Sequence, residues 1–298
     1  MTLTGLFVPL ITPFTTDGEL ALDALERHAH RVLDDGATGI VALGTTAEPA
    51  TLSAEEHHRV LDVCLRVCSE RGAPLIAGAG TNSTTGSLAA LHALDERITA
   101  ALTVVPYYTR PSEAGVLAHF RRLAAGPVPL IVYNIPYRTS RTLGLDTVLE
   151  LADIPGIAGF KHAVGAIDDT TIAMMGKLPA EVSVLAGDDL YAAPLLALGA
   201  HGAILACANL ATSAYAELVR GWRDGPIDAA RILGHRLSEV AEAVFAEPNP
   251  VVIKSVLAAQ GHIPSSTVRL PLLPASAAAT AAALRALDAV DTRCGLRG

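Results

Sequence analysis

The chain has 298 residues, 51% of them hydrophobic and only 17% charged, with 22 basic and 30 acidic residues and a net charge of −8. That length and apolar content suit a large packed core, in one domain or two, and the lack of any basic block excludes an electrostatic nucleic-acid footprint. Asp, Arg, His or Pro interrupts every apolar run before it could span a bilayer, and the first residues lack the features of a signal peptide, so the chain reads as cytoplasmic.

In chain order, short apolar runs alternate with longer amphipathic stretches. Strands are predicted over 6–13, 39–44, 74–80, 100–106, 129–136, 156–163, 182–188 and 201–208. Helices are predicted between and after them over 21–35, 54–71, 87–97, 113–125, 146–152, 169–178, 191–198 and 211–223. Ser53, with Glu56 three residues on, fits a capping box at the start of the second helix. Eight βα units of about 25–30 residues match the period of a (β/α)8 TIM barrel, an α/β fold. A doubly wound sheet fits less well, because the first strand ends in Thr12-Pro13-Phe14 and not in a glycine-rich phosphate turn. Further helices are expected over 227–246, 250–260 and the Ala-rich 274–290, with Glu247-Pro-Asn-Pro250 as a rigid break between the first two. The domain reading is therefore a catalytic barrel over 1–224 and a helical extension over 225–298 packed on it.

Four cysteines, Cys64, Cys68, Cys207 and Cys294, suggest no disulfide framework. Cys64 and Cys68 sit one helical turn apart and lack the second pair a zinc site needs, so all are read as packed or half-exposed thiols.

Barrel enzymes carry their functional groups at the carboxyl ends of strands. Those positions here are Gly44-Thr45-Thr46-Ala47-Glu48, Pro106-Tyr107-Tyr108, Tyr133-Asn-Ile-Pro-Tyr-Arg138, Lys161 and Gly187-Asp188-Asp189. Four of the six tyrosines fall there, which chance placement seldom gives. Lys161 is one of only three lysines and stands inside the apolar run Gly156-Ile-Ala-Gly-Phe-Lys161-His-Ala163. Burying an ammonium is costly and favours the neutral amine, the form that attacks a carbonyl to make a Schiff base. The alternative is a lysine at a strand end that snorkels to solvent. Strand alternation puts Ile157, Gly159, Lys161 and Ala163 on one face and Phe160 on the other. This turns Lys161 into the barrel, with Gly159 leaving room beside it.

The other rim groups each have two readings. Tyr133 is either a core tyrosine with a satisfied hydroxyl or a proton relay beside the lysine. Thr45 and Thr46 either satisfy turn amides or bind a carboxylate. Arg138 is either a surface residue or a carboxylate clamp. Asp188-Asp189 reads as helix capping ahead of metal binding, and Glu55-Glu56-His57-His58 as a solvated helix face.

Together, Gly44-Thr-Thr-Ala-Glu48, Tyr133-Asn-Ile-Pro136 with Arg138, Gly159-Phe-Lys161 and Gly187-Asp-Asp189 resemble the dihydrodipicolinate synthase / N-acetylneuraminate lyase family. The similarity runs from about residue 6 to 273 and includes Glu247-Pro-Asn-Pro250 and Arg269-Leu-Pro271. The paired threonines, Pro106-Tyr-Tyr108 and Arg138 resemble the synthase branch. The resemblance implies a lyase of lysine and diaminopimelate biosynthesis that condenses pyruvate with aspartate semialdehyde and needs no cofactor or metal. It implies that Lys161 forms the imine and that Tyr133 is the general acid/base, linked by hydrogen bonds to Thr45 and Tyr108. Tyr108 would reach into a neighbouring subunit, so the resemblance implies a homo-oligomer, dimer or tetramer. Thr46 would hold the pyruvate carboxylate, Gly187 and Ile204 would line the pocket, and Arg138 would hold the aldehyde's carboxylate.

Departures from the family pattern stand at Ala47 for glycine, His162 for an acidic residue and Tyr137 for a small residue expected to crowd the second-substrate pocket. Gly86 replaces the acidic residue that binds inhibitory lysine in regulated members, so weak or absent lysine feedback is expected. The alternative activities are N-acetylneuraminate lyase and 2-keto-3-deoxy sugar-acid aldolase. A catalytically silent binding barrel is disfavoured by the joint presence of Lys161, Tyr133, Thr45 and Tyr108.

Overall fold

The computed structural model describes residues 2–294, with side chains to residue 290. Its centre is a closed barrel of eight parallel strands in sequential order: β1 (Gly5–Pro9), β2 (Gly39–Ala42), β3 (Leu75–Gly78), β4 (Ala100–Val104), β5 (Leu130–Asn134), β6 (Ile157–His162), β7 (Ser183–Ala186) and β8 (Gly202–Ile204). Closure comes from β1 pairing with β8, Phe7 opposite Ile204. Parallel neighbours need crossovers, and here these are helical. They are α1 (Leu22–Asp34), α2 (Ala54–Arg71), α3 (Thr84–His92), α4 (Glu113–Leu123), the short α5 (Pro136–Thr139) with α6 (Leu145–Ala152), α7 (Asp169–Lys177) and α8 (Ala192–Ala197). The last strand leads into α9 (Thr212–Asp224), and beyond it lie α10 (Ile227–Val244), α11 (Val251–Ala259) and α12 (Ala277–Cys294). Helix α10 packs against α9 and α12, and α11 against α12 and the turn after β8.

Two apolar cores follow from strand alternation. One lies between strands and helices; the other fills the barrel with Leu3, Phe7, Val41, Ile76, Leu102, Ile131, Tyr133, Leu185 and Ile204 among its members. Local side-chain caps start α2, α3, α4 and α7. Ser53 and Glu56 form the expected capping box, and α2 stops at Gly72, which takes the left-handed conformation at φ 61°.

Several boundaries differ from expectation. Helix α3 starts three residues earlier than predicted because the Ser83 hydroxyl accepts from Gly86 N–H. It also ends sooner, where Asp95 accepts from the Arg97 backbone and closes a local turn that competes with helix. β8 stops at Ile204 because the next residues form a 3-10 turn, Ala206–Asn209, whose first N–H groups donate to the Asp189 carboxylate. The short helix α5 was not foreseen; Pro136 at its first turn has no N–H to satisfy. The predicted solvated face on α2 is also incorrect in part. Glu56 accepts two hydrogen bonds from the Arg269 guanidinium, and the His57 ring bonds Pro49 O. The final residues of the expected extension, 295–298, and the Cys294 side chain lie outside the described residues.

Candidate active site

Lys161 enters the barrel from β6 and is only 6% exposed. Its strand neighbours are Tyr133 on β5 and Leu185 on β7, each directly in register. The Lys161 Nζ lies 4.3 Å from the Tyr133 ring centroid. A Cβ added at Gly187 would come within 2.6 Å of Lys161 Cγ, so that glycine clears the volume the lysine stem occupies. Among the described residues, Lys161 Nζ has neither a hydrogen bond nor an ion pair. A buried amine held against a phenol, with no carboxylate bound to it, is free to act as a nucleophile.

The alternation argument holds from Gly159 onward but fails at Ile157. The β5–β6 register shifts between Leu130 and Ile131, and this irregularity sends Ile157 to the helix-side core with Phe160. Gly159 also has a different role from the one expected. A Cβ there would meet Ser183 O at 2.3 Å, so it permits close approach of β6 to β7, and Gly187 is the residue that makes room for the lysine.

The rim groups come together unevenly. Thr45 and Thr46 form a 3-10 turn after β2, Thr45 half-buried and Thr46 buried. The Thr46 Oγ1 accepts from the Asn249 amide at 3.0 Å. Ile204 is fully buried at the end of β8, and Gly187 follows β7. Tyr108, by contrast, is 89% exposed, with φ at 68°, and projects from the chain. No hydrogen bond joins Tyr133, Thr45 and Tyr108 among the described residues. Arg138 lies exposed on α5, its guanidinium 5.8 Å from the Tyr137 ring. Tyr137 is itself 88% exposed.

Acidic groups sit near the lysine without pairing with it. Burial raises the Asp188 carboxyl, and its local backbone hydrogen bonds and the Lys161 charge work against that. Burial pushes Asp189 up to about 6, although its oxygens accept from Cys207 N–H at 2.7 Å and Ala206 N–H at 3.2 Å. Asp189 thus ties the β7 loop to the β8 turn by capping the first N–H groups of that 3-10 turn, and not α8, which begins after Tyr191. Behind Lys161, His162 faces α7, its Nε2 3.0 Å from Thr171 Oγ1, which donates to Asp168. Burial lowers His162 to about 4.

A second buried lysine escaped the sequence reading. Lys254 on α11 is 0% exposed, donates to Glu48 Oε1 at 2.7 Å and lies 4.0 Å from the Phe14 ring centroid. Arg269 covers the same ring at 4.4 Å and donates its backbone N–H to Glu48 Oε2. The signal was present, because Val251-Val-Ile-Lys254 is an apolar run of the same kind as the one around Lys161. No group of three or more metal-ligating side chains occurs among the described residues.

The model of the dihydrodipicolinate synthetase family matches residues 2–290. A 4-hydroxy-tetrahydrodipicolinate synthase of Methanothrix thermoacetophila is 39% identical over 276 residues, covering 91% of this chain and 92% of the relative. The solved 4-hydroxy-tetrahydrodipicolinate synthase of Methylacidiphilum fumariolicum superimposes with a TM-score of 0.93 at 32% identity, covering 99% of this chain and 98% of that one. The chloride-inhibited dihydrodipicolinate synthase of Acinetobacter baumannii, solved with pyruvate, gives a TM-score of 0.92 at 35% identity over 97% and 99% of the two chains.

Proposed function

The chain belongs to the dihydrodipicolinate synthetase family, and on that premise we propose that it condenses pyruvate with L-aspartate 4-semialdehyde to 4-hydroxy-tetrahydrodipicolinate, in lysine and diaminopimelate biosynthesis. The observation that carries the chemistry is the unpaired Lys161 amine packed on Tyr133 in the space Gly187 leaves. Lys161 adds to the C2 carbonyl of pyruvate, and loss of water gives a protonated imine. That cation withdraws electrons, so a C3 methyl proton leaves and an enamine forms. Tyr133, beside the amine, moves the protons. The enamine carbon attacks the aldehyde. The substrate's own amino group then attacks C2, expels Lys161 and closes the ring. One water is released overall, from imine formation.

In this reading Thr46 holds the pyruvate carboxylate, Gly187 and Ile204 line the pocket, and Arg138 receives the carboxylate of the semialdehyde. Thr45 and Tyr108 complete the proton relay with Tyr133. Tyr108 projects away from its own chain, which suits a homo-oligomer, dimer or tetramer, in which it serves a neighbour's site. Residues 1–224 act as the catalytic barrel and 225–298 as the packed extension. No described helix is long and apolar enough to cross a membrane, and Cys64, Cys68 and Cys207 are free and buried. Both features suit work in the cytoplasm.

Borohydride reduction in the presence of pyruvate, followed by peptide mass spectrometry, tests the reading. The expected result is a reduced pyruvate adduct on the peptide containing Lys161; its absence would overturn the proposal. Turnover of aspartate semialdehyde above that of sugar-derived aldehydes checks the choice of second substrate.

A further inference from the structure

The segment that presents Thr45 and Thr46 is fastened from several directions. The Thr12 hydroxyl donates to Ala47 O at 2.8 Å. Glu48, at φ 55° and ψ 40°, occupies the left-handed region that side-chain-bearing residues rarely adopt. Both its carboxylate oxygens are held, one by Lys254 Nζ at 2.7 Å and the other by Arg269 N–H at 3.0 Å. Lys254 and Arg269 pack on the Phe14 ring, and Arg269 reaches further to Gly18 O, Thr51 O and Glu56. Most of these restraints come from beyond the barrel: Asn249 precedes α11, Lys254 lies on it and Arg269 follows it.

Hydrogen-bond polarity gives the arrangement a chemical consequence. Thr46 Oγ1 already accepts the Asn249 N–H, so its own proton is left to donate. A substrate carboxylate is the acceptor that such a hydroxyl serves.

We propose that Asn249 and Lys254 are positioning residues for the keto-acid carboxylate: Asn249 sets Thr46 as a donor, and Lys254, through Glu48, holds the turn that carries it. The inference rests on the assignment of Lys161 as the imine-forming residue for an α-keto acid. It makes the helical extension part of the binding apparatus for the first substrate. Neither residue touches substrate.

The test is steady-state kinetics with pyruvate and the aldehyde varied separately, alongside borohydride trapping at graded pyruvate. Asn249→Ala is expected to raise the pyruvate KM about tenfold, the loss of one positioning hydrogen bond. Asn249→Asp, nearly isosteric, is expected to raise it about a hundredfold, because a carboxylate there accepts the Thr46 proton and repels the substrate. The aldehyde KM and kcat should stay within about twofold of the parent in both. Lys254→Met alone leaves a buried carboxylate unpaired and endangers folding, so Glu48→Gln/Lys254→Met is the companion variant. It should fold, trap pyruvate at Lys161 and require more pyruvate to do so. An unchanged pyruvate KM in all three variants would overturn the inference, as would equal rises for both substrates. A parent protein that traps pyruvate while the variants behave like it overturns this inference alone; a parent that traps none sinks the functional reading with it.

Discussion

Two lysines are buried in this molecule, and their surroundings give them opposite fates. Lys254 lies in the seam between the extension and the barrel, where Glu48 neutralises it and Phe14 covers it. Burial lowers it to about 8, and the Glu48 carboxylate works against that. Lys161 lies at the barrel mouth against a phenol ring, with no carboxylate bonded to it. Burial and scarcity are therefore common to both; the partner decides. A lysine tied to a carboxylate holds structure together, whereas one left unpaired beside a phenol is available for covalent chemistry.

Substitutions should separate the two sites, beginning with the largest effect. Lys161→Met is expected to abolish borohydride trapping and cut turnover by about 10⁴-fold or more, with little change in the urea midpoint. A comparable loss of stability would erase the contrast with Lys254. Tyr133→Phe should reduce kcat by about 10² to 10³-fold, the range for losing a general acid/base, while the Lys161 adduct still forms slowly. Stopped-flow or single-turnover assays would detect it. Lys254→Met should spare trapping at Lys161 at saturating pyruvate and lose stability instead. It leaves Glu48 buried and uncompensated, which costs about 3–5 kcal/mol in urea unfolding, and Glu48→Gln/Lys254→Met should recover much of that loss.

Acid provides a smaller test of what burial costs a titratable group. Burial holds His28 down at about 3 and His162 at about 4, below the ordinary 6.5. As pH falls through 6.5 the unfolded chain takes up those protons first, so stability present above that value drains away toward the folded values. Asp189, raised to about 6, runs the other way, because the native state binds its proton first as pH drops. The two histidines outweigh it, with a net loss of about 2 kcal/mol between pH 6.5 and about 5. Urea midpoints measured across that range check the sign, and His162→Gln should flatten the slope. The smallest expected effect is that of added lysine. Gly86 offers a lysine ligand no carboxylate of the kind Lys254 enjoys, so millimolar lysine should leave turnover unchanged; micromolar inhibition would refute this.

The contrast also explains what could be read in advance. Alternation of apolar and amphipathic stretches was enough for the barrel, because each βα unit announces itself locally. The placement of Lys161 and Tyr133 at neighbouring strand ends was legible too. The β5–β6 irregularity that turns Ile157 outward was not, because a register shift depends on the neighbouring strand. The Glu48–Lys254 pair was missed for a similar reason: the apolar run marks Lys254 as buried, but its partner stands 206 positions away and nothing local names it.

By itself, then, the sequence determined the βα rhythm, the scarce lysine in its apolar strand and the family motifs, all carried by residues near one another in the chain. Only the tertiary structure decided which buried lysine is paired. Closing the barrel sets Lys161 against Tyr133 and Gly187, and folding the extension back sets Lys254 against Glu48. A side chain's reactivity depends on the charges and space that distant segments bring to it, and those exist only once the chain has folded.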